Sequence, residues 1–205
     1  DDFVLESAVY TIANKDVNIL LVHFTDLDTM RHAHGVFSKE ANEALHRHDK
    51  RLGRILDALE AKGKMEEATI IILGDHAALD ENKAIHLNYL FCERGLISKN
   101  NRGKITNWQA YCKTCDGSAY IYLNQKNDKE AKEKVRGILE ELAQNDENGI
   151  EKIYTGKEAE EMGADPHCAF MLEASLGYYF VEDMNGPYLH EIEKEERMHH
   201  KKYTL

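Results

Sequence analysis

Two short clusters of acid and histidine carry the side chains best suited to chemistry in this chain. The first is Asp26-Leu27-Asp28-Thr29-Met30-Arg31-His32-Ala33-His34, which follows the apolar run 17–22. The second is Asp75-His76, directly after Thr69-Ile70-Ile71-Ile72-Leu73-Gly74. Carboxylate oxygens and imidazole nitrogens both bind zinc, manganese or iron, so Asp28, His32, Asp75 and His76 are the candidate metal ligands. Asp28 and His32 are spaced to share one face of a helical turn, whereas adjacent Asp75 and His76 need a turn to aim at one ion.

The elements around the clusters must bring them together. Val17–Val22 and Thr69–Leu73 read as buried strands, and the stretch 38–62 repeats Ala41, Ala44, Leu45, Leu52, Ile55, Leu56 and Leu59 at helical spacing. A strand, a helix and a strand predict a right-handed crossover with parallel strands, whose carboxyl ends share one edge of the sheet. Ligands bind outside such ends. The plainer reading is that Asp26, Asp28 and Ser38 are helix caps, since caps and ligands draw on the same residue types. His23 reads either as a strand's core histidine or as a site residue, and His34 as a supporting group or a substrate contact.

These residues resemble a known family. The segment from Asp28 through His32 to Gly35 is similar to the D-x-x-G-H-x-x-G motif of the nucleotide pyrophosphatase/phosphodiesterase branch of the alkaline phosphatase superfamily. Leu73-Gly74-Asp75-His76 resembles its T-D-H-G segment, and 87–96 and 116–123 resemble stretches further along. The resemblance implies a hydrolase of phosphoric diester or pyrophosphate bonds. It also implies two divalent ions, zinc first with manganese or iron as alternatives, Asp28 and His32 serving one ion and Asp75 and His76 the other. A small phosphate ester or nucleotide is the expected substrate. A phosphomutase, phosphonoacetate hydrolase or sulfatase would share these ligands, and a non-catalytic metal-binding module would keep the scaffold alone.

By the same resemblance, the nucleophilic Thr or Ser and a further metal Asp lie upstream of the first motif. A last metal His lies in a T-H-G segment near where this chain stops. The 205 residues are therefore expected to be an internal part of a longer enzyme, carrying part of an active site and inactive alone. Thr25 and Thr29 belong to the ligand segment and are not assigned as nucleophiles. His199 and His200 are adjacent candidates for the last ligand, within a charged stretch that reads as a solvated helix.

The fold expected is α/β: an alkaline-phosphatase-like core fragment of parallel strands with helices over 1–98, a small α+β lobe over 99–183, and a return segment over 184–205. In the lobe, 105–112, 118–123, 149–154 and 169–181 read as strands or a hairpin, and 128–144 and 157–162 as helices. Trp108, Tyr111 and Tyr120 read chiefly as packing residues, or else as walls of a substrate cleft. The net charge of -11 excludes a nucleic-acid backbone as a partner, and no apolar run approaches the about 18 residues of a membrane span. Scattered glycines give no phosphate loop. Cys112-Lys113-Thr114-Cys115 has redox spacing, but it sits among strand-like segments, so all four cysteines read as free thiols. Free thiols point to a reducing compartment and leave an extracytoplasmic one open. Oligomeric state is not written in these residues.

Overall fold

Helical periodicity governs the N-terminal part of the chain. The computed structural model describes residues 1–192, and the first of its two units, Asp1–Ala78, is built on α1 (Asp2–Asn14), α2 (Asp26–His34) and α3 (Lys39–Ala61). Ser38 caps α3 as the sequence predicts, its side chain accepting the Ala41 N–H at 3.1 Å. Helix α3 packs on both α1 and α2, burying its own Ala41 and Ala44 and, on α1, Leu5, Ala8 and Ile12, while Leu45 of the expected stripe is left exposed. A short 3-10 turn, Met65–Glu67, leads to the second cluster.

The two buried strands expected here are not present. Neither 17–22 nor 69–73 joins a sheet among the described residues, and Leu21 is 91% and Ile71 76% exposed. Runs of Ile, Leu and Val favour a pleated, half-buried surface, but a strand exists only where neighbours complete its ladder. The parallel crossover predicted for this unit is accordingly not formed.

The second unit begins at Leu79. Strand β1 (Lys83–Ile85), helix α4 (Leu87–Glu93) and strand β2 (Ile97–Lys99) open it, so the contacts divide the chain earlier than the composition shift after Ser98 suggests. The reason is packing: Ile85, Leu87, Phe91, Leu96 and Ile97 are buried in one cluster with Ala110, Ile121, Val135 and Leu139. The stretch expected as one strand over 105–112 is two, β3 (Ile105–Trp108) pairing with β2 and β4 (Ala110–Cys115) pairing with β5 (Ser118–Leu123), broken at Gln109. Helix α5 (Lys129–Ala143) is capped by Asp128, and strand β6 (Ile150–Thr155) leads into α6 (Gly156–Glu161), where Thr155 and Glu158 form a reciprocal capping box.

Residues 169–181 do not form a hairpin. Strand β7 (Phe170–Ala174) completes a four-stranded antiparallel sheet of order β4-β5-β7-β6, whereas β8 (Tyr178–Phe180) pairs parallel with β1. The break falls at Gly177, whose φ of +86° suits glycine. Strand β9 (Leu189–Glu191) closes the small sheet on the other side of β1. Asn88 of α4 is fully buried and satisfies two backbone groups of β4, donating to the Cys112 carbonyl and accepting its N–H, each at 2.8 Å.

Cys112 is buried and Cys115 exposed three residues along the same strand, which puts them on opposite faces. They form no redox pair, and burial pushes the Cys112 thiol well up. Trp108 and Tyr111 pack edge to face against the core. Among the described residues no helix is long and apolar enough to cross a membrane.

Candidate metal centre

Helix α2 presents the first cluster, and its position is set by charge more than by core. Thr25 is the N-cap but offers no side-chain cap. Instead the Asp1 carboxylate accepts the Thr25 and Asp26 N–H groups at 3.2 and 2.9 Å, and His48 Nε2 accepts the Leu27 N–H at 3.1 Å. Three of the amides that a helix start leaves without partners are thus satisfied from elsewhere in the unit. Asp26 is gripped by Arg47 through two hydrogen bonds at 2.7 and 2.9 Å and by Arg51 at 2.8 Å. Arg51, itself buried, reaches Asp2 at 3.0 Å and lies over the Phe24 ring. Arg47 first, and then Arg51, hold the Asp26 carboxyl well below the usual carboxylate range against the cost of burial. Gly35 ends the helix at φ +103°, its N–H on the Arg31 carbonyl.

Asp26 and Asp28 are therefore not side-chain caps. Ser38 is. Asp28 sits in the first turn of α2, where the helix dipole favours its charge, and its Oδ1 lies 3.5 Å from His32 Nε2 one turn on. From the second cluster, His76 Nε2 lies 4.0 Å from the same Asp28 oxygen and 3.7 Å from Asp75 Oδ1. The opposite ring nitrogen, Nδ1, is 3.1 Å from the Ala77 carbonyl. A carbonyl only accepts, so Nδ1 donates to it and Nε2 is the ring nitrogen turned to the carboxylates, where the neutral ring would offer its lone pair. That is how a protein prepares an imidazole to bind a cation.

His32 and His76 thus stand near Asp28, and Asp75 stands near His76. Two donors on one tetrahedral ion stand about 3.4 Å apart, given metal bonds of about 2.1 Å. The Asp28–His32 separation matches, and the two His76 separations are wider. Among the described residues no three His, Cys, Asp or Glu groups are arranged to hold one ion as they stand. The donor chemistry fits a divalent metal, while the spacing describes donors brought near rather than a closed shell. His23 and His34 are exposed, and His23 is no core histidine. Thr29 Oγ1 donates to the Thr25 carbonyl at 3.0 Å. His199 and His200 lie outside the described residues. Sequence reasoning missed Arg47, His48 and Arg51, which lie on α3 and whose partners lie on other elements.

The model of the type I phosphodiesterase/nucleotide pyrophosphatase family matches residues 2–202. The chain belongs to that family. Members of the family are generally metal-dependent. Among solved structures it is similar to murine ectonucleotide pyrophosphatase/phosphodiesterase 5 in complex with AMP, at 14% identity and a TM-score of 0.61, covering 98% of this chain and 50% of that one. The human counterpart gives 15% identity and a TM-score of 0.61, over 99% and 50% of the two chains. Phosphonoacetate hydrolase from Sinorhizobium meliloti, in complex with phosphonoformate, gives 16% and 0.59, over 93% and 46%. No curated relative matches it. These likenesses show the mixed α/β, alkaline-phosphatase-like fold, and the chain spans about half the length of the structures it resembles.

Proposed function

We propose that this family member supplies one side of a divalent-metal centre that hydrolyses phosphoric diester or pyrophosphate bonds in a small ester or nucleotide substrate. Asp28 and His32 hold one ion, and Asp75 and His76 hold a second, with zinc the first choice and manganese or iron the alternatives. The observation that carries the reading is the approach of His76 to Asp28, since two clusters that are remote in sequence meet at one carboxylate in a phosphodiesterase family chain.

Bound ions would act as Lewis acids, neutralising charge at the phosphoryl oxygens and lowering the pKa of an attacking group. The chain's own residues do the rest. His76, its Nδ1 proton held on Ala77, directs Nε2 to the centre. Asp28 adds charge at the start of α2, and Arg47 and Arg51 keep that helix in place through Asp26. Thr25 and Thr29 are turned to local partners, so the nucleophile is assigned to neither and is proposed to lie outside this chain. The likeness to a phosphonoacetate hydrolase supports a second reading, P–C bond hydrolysis at the same centre. The free thiols support a reducing compartment.

Calorimetric titration with zinc tests the centre. Binding by the intact chain, lost in both Asp28→Ala and Asp75→Ala, is expected. Binding that survives both substitutions would sink the assignment.

A further inference from the structure

Helix α2 carries Asp28 and His32 yet buries none of its side chains, so polar ties rather than a core fix where it presents them. Asp1 accepts the Thr25 and Asp26 N–H groups, Arg47 and Arg51 hold the Asp26 carboxylate, and His48 Nε2 accepts the Leu27 N–H at 3.1 Å. The His48 bond is made to the residue directly before Asp28. It also differs in kind from the carboxylate and guanidinium ties, because it depends on the lone pair of a ring nitrogen. A neutral imidazole has that lone pair and an imidazolium has none. A proton on Nε2 would face the Leu27 N–H with a second N–H, at a helix start whose dipole already disfavours a cation. The surroundings favour the neutral ring. His48 lies against Phe24, with ring centroids 5.6 Å apart. Burial first, and then Arg51, Arg47 and the Asp1 α-amino group, lower its pKa, against the opposing pull of Asp26 on α2. The Asp1 and Asp2 carboxylates complete the charged groups of this cluster, bound to the start of α2 and to Arg51.

We infer that His48 is a positioning residue of the metal centre, which fixes the turn bearing Asp28 only while its ring is neutral, so that one proton on α3 governs ligand placement on α2. The inference rests on the proposed metal centre. His48 stands outside both ligand clusters and acts through the Leu27 backbone, not on the ion. Losing its acceptor leaves the first turn of α2 short of one partner, and with no buried side chain on that helix nothing else holds the turn in register.

The test is zinc calorimetry on the full chain with three proteins: wild type, His48→Gln, which keeps an acceptor near the Nε2 position and does not titrate, and His48→Leu, which keeps bulk without an acceptor. Circular dichroism checks that each is folded. At pH 7.5 wild type and His48→Gln are expected to bind zinc alike, and His48→Leu about threefold to tenfold more weakly, the range that one hydrogen bond gives. Between pH 7.5 and 5.5, protons on the ligand histidines weaken binding in every protein, so the reading is a difference in slope. Wild-type affinity is expected to fall more steeply than that of His48→Gln, with the wild-type Leu27 amide resonance following the titration of the His48 ring. A purely structural role would shift affinity and leave the slope alone. Equal affinity of wild type and folded His48→Leu, or equal slopes in wild type and His48→Gln, would overturn the inference and leave the metal centre standing. If His48→Leu does not fold, the slopes decide alone. Failure of wild type to bind zinc would remove the centre and the inference together.

Discussion

The two units of this chain are held together by different means. The second has a large apolar cluster, with Phe91, Leu139, Leu172 and Ile121 almost wholly buried, a smaller one around Ala84, Tyr179 and Ile192, and three sheets among the described residues satisfying its backbone. The first buries only a few side chains between three helices, leaves its two most apolar runs in solvent, and fixes its second helix with Asp1, Asp2, Asp26, Arg47, His48 and Arg51. The candidate ligands belong to the first. The proposed chemistry would thus sit on the unit with the smaller core, where the placement of α2 depends on charge.

The sharpest way to break the comparison is to truncate a large apolar side chain in each unit. Phe91→Ala is expected to cost about 3–5 kcal/mol in urea denaturation, whereas Ile71→Ala is expected to stay within about 0.5 kcal/mol. A large loss from Ile71→Ala would show that the apolar run is buried in solution. Next in size, Asn88→Ala leaves the Cys112 N–H and C=O without partners and is expected to cost about 1–3 kcal/mol. Heat or urea melts followed at two wavelengths would show whether that loss is confined to the second unit.

In the first unit, Arg51→Met removes hydrogen bonds to Asp26 and Asp2 and is expected to cost about 1–3 kcal/mol. It also tests pH. Because the folded Asp26 pKa is depressed, its contribution is present above the unfolded value near 4 and is lost as pH falls below it. The variant should show a weaker acid limb between about pH 4 and 2 than wild type. The smallest effect concerns His48. Burial first, and then Arg51, lower its pKa, and its Nε2 accepts from Leu27, so the neutral ring is the one the fold uses. Its contribution is present above the unfolded value near 6.5 and is lost as pH falls through the window below it. Stability measured from pH 7.5 to 5.5 should decline in wild type and decline less in His48→Gln.

Much of the local structure was legible. The α3 stripe, its Ser38 cap, the Asp128 cap of α5 and the β5 strand all depend on neighbours within a few residues, and all were found. The two apolar runs show the opposite case. Their composition is that of strands, but strand formation needs partners far along the chain, and composition names none. The same holds for 169–181, whose apolar pattern fits a hairpin although Gly177 sends its second half to β1.

By itself the sequence determined the amphipathic helices and their starts, the two acid and histidine clusters and the likeness to a phosphodiesterase family, because periodicity, capping and motif spacing are all short-range properties. Tertiary structure alone decided that His76 stands beside Asp28, that Arg51 and Arg47 lock the helix bearing it, that Asn88 ties α4 to β4, and that the chain divides before β1. Each of these is a contact between segments that the chain must first bring together, so its energy depends on the whole packing and leaves no local trace in the residues that make it.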